Sequence, residues 1–209
     1  MADEHQNVLA RFLKDTATHE MVVHQDYGVY RDLAFKKPGD SAYRFNLVTW
    51  PGYLCISGDM GTYVFSRLTD MFTFFRSEKP ELTINPSYWS EKCQAADRNG
   101  KVKEFSPDLF KAAIAERLET YLEGFHDPLD EMKEKELREA VDDWVLTQIY
   151  DGPQVAFMAA RDFDFDNDAV FDDFGENPCE TYTFHFLWIC YAIQWGIRQY
   201  DAARKGEEK

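Results

Sequence analysis

Short segments rich in β-branched and aromatic residues alternate with polar turns between His19 and Arg67. Strands of this length joined by tight turns form antiparallel meanders. Glycine or proline marks each turn: Gly28, Pro38-Gly39, Pro51-Gly52 and Gly58–Gly61. The pattern therefore predicts a β-meander of about five strands over residues 19–67.

The pattern changes to helical spacing after Arg67. Asp70, Asn85-Pro86 and Ser106-Pro107 each match the start of a helix, with a capping side chain or a proline in the first turn. Apolar stripes predict helices over 5–17, 128–148 and 153–161, the 128–148 stripe including Met132 and Trp144. A final helix near 180–205 is apolar on most sides, which predicts burial.

These elements predict an α+β fold in which an N-terminal antiparallel β-meander packs against C-terminal helices, including a buried final helix. Residues 68–205 are expected to be mainly helical. Because the chain has no internal repeat or long flexible linker, residues 1–209 are expected to form a single α+β domain.

Negative charge is concentrated in one stretch of the chain. The net charge is −15, and residues 126–180 hold 17 acidic residues against 4 basic ones. Such a segment repels nucleic acid and anionic membranes and attracts basic protein surfaces. We expect its partner to be the basic surface of a protein or nucleoprotein complex.

The absence of secretory and membrane-spanning signals predicts the cellular compartment. The chain begins without a secretory pattern and has no apolar run long enough to span a membrane. Its four cysteines are scattered, which is typical of free thiols in a reducing compartment. These features predict a cytoplasmic protein.

Asp and Phe alternate after residue 161. In an extended strand the phenylalanines would face the core, and the aspartates would form an outer row with a spacing of about 6.5–7 Å. That spacing is comparable to the spacing of phosphates along a DNA strand, so nucleic-acid mimicry is one hypothesis. A solvated acidic loop anchored by phenylalanines is the second interpretation.

A calcium loop is a third interpretation of the same segment. Asp162, Asp164, Asp166 and Asp173 fit EF-hand positions, but Asn167 stands where the loop needs glycine, and the bidentate glutamate is absent. The sequence therefore predicts no metal and no cofactor.

The acidic helix over 128–148 extends the same negative surface. Two adjacent acidic elements build a continuous surface, whereas one charged helix is usually only a solvated face. The predicted partner-binding residues are all acidic: Asp162, Asp164, Asp166, Asp168, Asp172, Asp173, Glu176, Glu136, Glu139 and Asp143.

The turn Gly58–Gly61 offers an alternative ligand-binding site. Paired glycines permit positive φ and close approach of a ligand, although a tight hairpin turn is the simpler interpretation. The residues considered for this site are Trp50, Asp59, Tyr63 and Arg67. The sequence has no P-loop, zinc-protease motif or nucleophile elbow, which favours a binding protein over an enzyme.

The stretch Tyr43–Arg76 carries the segments TWPGYL, SGDMGTYVFSR and DMFTFFR. It resembles a family of uncharacterised tailed-bacteriophage and prophage proteins, and INPSYWSEKCQAADRNGKVKEFSPDLF and FLWICYAIQWGIRQYD are similar to the same family. The resemblance implies a phage protein that acts in the host bacterial cytoplasm. It carries over no activity and no functional residue.

Two functional hypotheses follow. The first is an acidic binding protein that inhibits a host nucleic-acid-binding defence factor, of the anti-CRISPR or anti-restriction type. The second is a counter-defence protein that binds or degrades a small nucleotide signal at the alternative site.

Overall fold

The computed structural model describes residues 2–98, 100–124, 129–171, 174 and 179–207. The chain divides into two compact units. Unit 1 comprises Met1–Lys103 and Tyr182–Lys209, and unit 2 comprises Glu104–Thr181. The single-domain interpretation stays a prediction.

Unit 1 contains a six-stranded antiparallel sheet in the order β1-β2-β3-β4-β5-β6. The predicted meander is confirmed as its first five strands, and Cys93–Ala96 adds a sixth strand that the sequence pattern did not indicate. The strands are β1 (Glu20–Tyr27), β2 (Tyr30–Lys36), β3 (Phe45–Trp50), β4 (Tyr53–Gly58), β5 (Gly61–Ser66) and β6 (Cys93–Ala96).

Alternation along the strands determines which sheet face is buried. In β3, Phe45, Leu47 and Thr49 are buried, while Asn46 and Val48 on the other face are only partly covered. The β4–β5 turn then requires a glycine, because a Cβ at Gly58 would lie 2.1 Å from the carbonyl oxygen of Arg44. This contact explains one of the two glycines in Gly58–Gly61.

Two helices of unit 1 begin where their capping residues predict, whereas the first helix spans Ala2–Asp15 instead of the predicted 5–17. Asp70 accepts a hydrogen bond from the Phe72 N–H at 3.0 Å, and Asn85 accepts one from the Tyr88 N–H at 3.2 Å. Both side chains satisfy N–H groups that the first helical turn leaves unpaired. The helices are α1 (Ala2–Asp15), α2 (Met71–Phe75), α3 (Pro86–Glu91) and α7 (Phe184–Glu207).

Helix α7 is the buried helix that the sequence predicts. Its residues 186–194 are all buried, and they form one core with the sheet and α1. The Trp188 ring meets the Phe12 ring of α1 edge-on at 5.0 Å and the Phe45 ring of β3 at 5.8 Å. Among the described residues, no helix is long and apolar enough to cross a membrane.

Gly196 lets α7 approach the sheet closely. A Cβ at this position would lie 2.8 Å from Leu47 Cδ1 and 3.1 Å from Phe35 Cζ. The Phe35 ring also stacks on Phe45 with centroids 4.7 Å apart, so it has little room to move away. The packing distance between helix and sheet therefore depends on the absence of a side chain here.

Arg31 lies on the core side of β2 and is only 7% exposed. Its guanidinium donates to both carboxylate oxygens of Asp70, at 2.9 and 3.1 Å, and covers the rings of Phe72 and Tyr200. Partial burial acts to raise the pKa of Asp70, but the hydrogen bonds and charge of Arg31 outweigh this effect, so its pKa lies below the ordinary value. Arg31 thus connects the sheet, α2 and α7.

Unit 2 is mainly helical around its own core. The predicted helix over 128–148 is shorter, because Asp130 caps it through the Lys133 N–H and it ends at Trp144. Ser106-Pro107 starts a helix as predicted, and the helix predicted over 153–161 is confirmed. The elements are α4 (Pro107–Glu123), α5 (Glu131–Trp144), a 3-10 helix (Leu146–Asp151), α6 (Pro153–Arg161), β8 (Asp164–Phe165) and β9 (Asp168–Ala169).

The chain passes between the units along two short strands that pair with each other. These are β7 (Lys103–Phe105) and β10 (Glu180–Tyr182). Unit 2 is therefore inserted into the sequence of unit 1 between β6 and α7.

Gly196→Ala is expected to destabilise the protein by about 1–2 kcal/mol, because the new methyl group overpacks a rigid core and outweighs the gain in helix propensity. Gly206→Ala is the matched control, since its Cβ would have no neighbour within 4 Å. Urea unfolding followed by tryptophan fluorescence measures both variants. Equal stability would contradict the close packing inferred at Gly196.

Asp70→Asn is expected to cost about 2 kcal/mol at pH 7, because it leaves the nearly buried Arg31 without its counter-ion. Asp70 has a lowered pKa in the folded state, so its contribution is complete above about pH 4 and disappears as the pH falls through the folded pKa. The difference between wild type and variant should therefore shrink below pH 4 in urea unfolding. Asp40→Asn, which removes an exposed charge paired with Lys37 and keeps a side-chain oxygen for the Ala42 N–H, should have a much smaller effect at pH 7.

Candidate partner-binding surface

The two units differ sharply in charge. Unit 2 has 22 acidic residues against 6 basic ones, a net charge of −16, whereas unit 1 has 16 against 17 and a net charge of +1. The whole excess of negative charge therefore belongs to the inserted unit. The sequence interval 126–180 covers most of it, and α4 supplies further acidic residues.

The Asp/Phe segment is a hairpin, so the predicted extended row of carboxylates is wrong. Strands β8 and β9 pair through Asp164–Ala169 and Phe165–Asp168, and the chain reverses at Asp166 and Asn167. Both turn residues have positive φ, 54° and 66°, as a two-residue type I′ turn requires. Asp and Asn tolerate this conformation better than most residues, which explains why the chain turns here.

The phenylalanines anchor the segment as predicted. Phe163, Phe171 and Phe174 are buried in the core of unit 2, and Phe165 is partly buried against it. The Phe174 ring meets the Phe110 ring of α4 edge-on at 5.4 Å. The aspartates Asp162, Asp164, Asp166 and Asp168 are exposed, so the division between apolar anchors and outward carboxylates is confirmed even though the backbone turns.

Three of these four aspartates contact neighbouring side chains. Asp162 pairs with Arg161 at 2.9 Å, and Asp166 pairs with Lys133 of α5 at 2.8 Å, a contact that raises the pKa of Lys133. Asp168 accepts a hydrogen bond from the Tyr121 hydroxyl at 3.0 Å. Partial burial, together with the Asp168 carboxylate, raises the pKa of Tyr121 to about 12. Helices α4 and α5 therefore position the hairpin.

Asp164 has no salt bridge or side-chain hydrogen bond with the residues that the structure describes. Glu136 and Asp143 of α5 likewise have no salt bridge within those residues, and Glu139 pairs with Lys135 at 3.6 Å. Ion pairs between described residues of unit 2 thus use four of its six cations and leave several exposed carboxylates available to an outside cation.

The acidic residues of α5 lie on one side of the helix. Glu136, Glu139 and Asp143 are exposed and follow each other at intervals of three and four residues, which places them within an arc of about 60°. On the opposite side of α5, Leu137 and Val141 are buried in the core of unit 2. The α5 stripe therefore points away from the core.

Arg138 holds the two acidic helices of unit 2 together. Its guanidinium pairs with Glu119 of α4 and with Glu134 of α5, both at 2.7 Å. These hydrogen bonds raise the pKa of Arg138 and lower the pKa of Glu119. The acidic elements are in this way held in a defined arrangement.

Three predicted surface residues, Asp172, Asp173 and Glu176, lie outside the described residues. The EF-hand interpretation depends on Asp173, so it also falls partly outside them. Among the residues that are described, no three His, Cys, Asp or Glu side chains are grouped closely enough to hold a metal ion.

The four residues of the alternative ligand site are not in one place. Trp50 and Arg67 lie at the end of the sheet where β3 turns into β4, and Trp50 stacks on Tyr53 with ring centroids 5.3 Å apart. Asp59 lies in the turn at the opposite end of the same strands, where it accepts a hydrogen bond from the Tyr43 N–H at 2.7 Å. The Gly58–Gly61 turn is thus a structural hairpin turn, as the simpler interpretation held.

Tyr63 points into the core of unit 1 and is fully buried. Burial raises its pKa to about 12, and its hydroxyl donates to the Lys101 carbonyl at 3.2 Å. A ligand has no access to this side chain. All four cysteines are free thiols, and burial raises the pKa of each, which disfavours the reactive thiolate.

Two residues that the apolar stripe predicts to be in the core lie instead on the surface of unit 2. Met132 and Trp144 were placed in the apolar stripe of the acidic helix, but they are 69% and 70% exposed. The aspartates at 142 and 143 could have indicated that Trp144 is exposed, because the helix face that contains Trp144 is adjacent to the acidic face.

Comparison of the chain with protein-family models, with curated proteins and with solved structures finds no match. Membership of the phage protein family therefore stays a prediction based on the motifs in Tyr43–Arg76.

Asn167→Val is expected to destabilise the β8–β9 hairpin by about 1–2 kcal/mol, because a β-branched residue disfavours positive φ. Asn167→Gly should preserve or strengthen the hairpin, since Asp-Gly is a preferred type I′ pair. Hydrogen exchange of the Val170 amide, which donates to the Phe163 carbonyl, measures the effect. Equal exchange in the two variants would contradict a turn at Asp166-Asn167.

Proposed function

We propose that the chain is an acidic binding protein that docks unit 2 on a basic surface of a partner protein. The observation that carries this proposal is the segregation of charge, −16 in unit 2 against +1 in unit 1. Opposite charge on two surfaces accelerates association and excludes partners of the wrong sign. A nucleic acid or an anionic membrane is such a wrong partner.

The target class follows from the same electrostatics. Proteins that bind nucleic acid present clustered Lys and Arg side chains, so they are the natural partners of a surface rich in carboxylates. Together with the phage resemblance, this supports a host nucleic-acid-binding defence factor as the target, and inhibition by occupation of its nucleic-acid site. The carboxylates do not form an extended row. The proposed inhibition therefore relies on charge and shape, and it does not require carboxylates at the spacing of phosphates.

The second hypothesis is a protein that binds or degrades a small nucleotide signal, but the residues considered for its site do not lie together. Trp50 and Asp59 lie at opposite ends of the sheet and Tyr63 is in the core. No other observation favours it.

The test is capture of bacterial lysate proteins on the immobilised protein. Nucleic-acid-binding proteins should be retained at low salt and released by duplex DNA or by raised salt, because both compete for a basic surface. Neutralising the hairpin by Asp162→Asn, Asp164→Asn, Asp166→Asn and Asp168→Asn together should reduce the retained amount at least tenfold, and mass spectrometry quantifies it.

A matched control removes four exposed carboxylates of unit 1 by Glu20→Gln, Glu78→Gln, Glu81→Gln and Glu91→Gln. This variant has the same change in net charge and should retain the partner. Equal loss in both variants would show a nonspecific charge effect, and retention that is unchanged by the hairpin substitutions would contradict the proposal.

A further inference from the structure

A surface groove of about 670 Å³ lies within unit 2, between α5, α6 and the start of the hairpin. Its apolar side chains come from two helices. The lining residues are Ala140, Trp144, Val155, Met158, Ala159, Asp162, Phe163 and Asp164.

The groove is open and its apolar walls are unusually exposed. Trp144 is 70% exposed, Met158 55% and Val155 40%. Exposed tryptophan and methionine side chains grouped in one depression mark interaction sites, since each costs free energy in water and methionine adapts to varied partners. A small molecule is usually enclosed over most of its surface, so an open groove suits a segment of polypeptide better.

Carboxylates flank the groove on both sides. Asp162 and Asp164 form the side next to the hairpin. On α5, successive residues are about 100° apart around the helix axis. Ala140 and Trp144 therefore lie on the side of the helix that is next to the stripe of Glu136, Glu139 and Asp143. A polypeptide segment bound in the groove therefore contacts apolar side chains inside it and carboxylates along both of its edges.

We propose that this groove binds an amphipathic helical segment of a partner protein, with apolar residues on one face and Lys or Arg along both edges. The inference rests on the proposed function and specifies which part of unit 2 makes the contact and which partner segment it takes. An apolar helix face fits an apolar groove, and the flanking cations complement Asp164 and Asp143, which have no salt bridge within the described residues. A second copy of this chain is disfavoured, because the same negative surface would face itself.

The probe is a synthetic peptide of about 18 residues, five turns of helix, with leucine on one face and lysine or arginine elsewhere and no tryptophan. A scrambled peptide of identical composition, whose leucines do not share a face, is the charge-matched control. Fluorescence anisotropy of labelled peptides at low salt measures the dissociation constants. The amphipathic peptide should bind the wild-type protein at least tenfold tighter than the scrambled one.

Met158→Asp should weaken binding of the amphipathic peptide about tenfold, because it places a charge on the apolar wall. Met132→Asp is the matched control, since Met132 is also an exposed methionine of the same unit but does not line the groove. Both variants add one negative charge, so electrostatics alone predicts slightly tighter binding by each. Weaker binding by Met158→Asp together with slightly tighter binding by Met132→Asp would therefore identify the groove as the peptide-binding site.

The outcomes separate the two proposals. Equal affinity for both peptides, unchanged by Met158→Asp, would overturn the groove while leaving a charge-based binding protein intact. Failure of both peptides to bind at low salt would overturn both proposals. Preferential binding of the amphipathic peptide that only Met158→Asp removes would support the groove, and a blue shift of Trp144 emission would accompany it.

Discussion

The close approach of α7 to the sheet at Gly196 is the constraint on which unit 1 depends. Large aromatic side chains fill most of its core, and such rings pack densely only when backbones are held at fixed distances. The missing side chain at Gly196 sets that distance at Leu47 and Phe35. The Arg31–Asp70 pair then connects strand β2 of the same sheet to α2 and α7, so packing and electrostatics support one arrangement.

Charge has different roles in the two units. In unit 1, cations and carboxylates are nearly balanced and several pair across elements, as in Arg76–Asp201 and Arg204–Asp26. In unit 2, a net charge of −16 repels itself and opposes folding. The unit compensates with a core in which phenylalanine rings contact one another edge-on or at a tilt, and with the Arg138 bridge between α4 and α5. Unit 2 therefore keeps a surface charge that opposes its own folding.

Local patterns in the sequence predicted much of this fold. Alternation and glycine turns predicted five strands, and capping at Asp70, Asn85 and Ser106 predicted three helix starts. The hairpin at Asp166-Asn167 was missed because alternation of Asp and Phe is equally compatible with one extended strand, and only positive φ at both turn residues separates the two. Trp144 was assigned to the core because periodicity does not show where a helix leaves its neighbours. The charge of the acidic surface could be predicted from composition, whereas the groove depends on how α5 and α6 pack.

The position of α7 in the chain has a consequence for synthesis. The sheet leaves the ribosome early, but the helix that covers its apolar face follows only after the whole of unit 2 has been made. During that interval Leu33, Phe35, Phe45 and Leu47 lack the cover of α7, and nascent chains with incompletely covered apolar sheets are prone to aggregate. The acidic unit emerges in the same interval, and its charge keeps neighbouring nascent chains apart until the last helix closes the core.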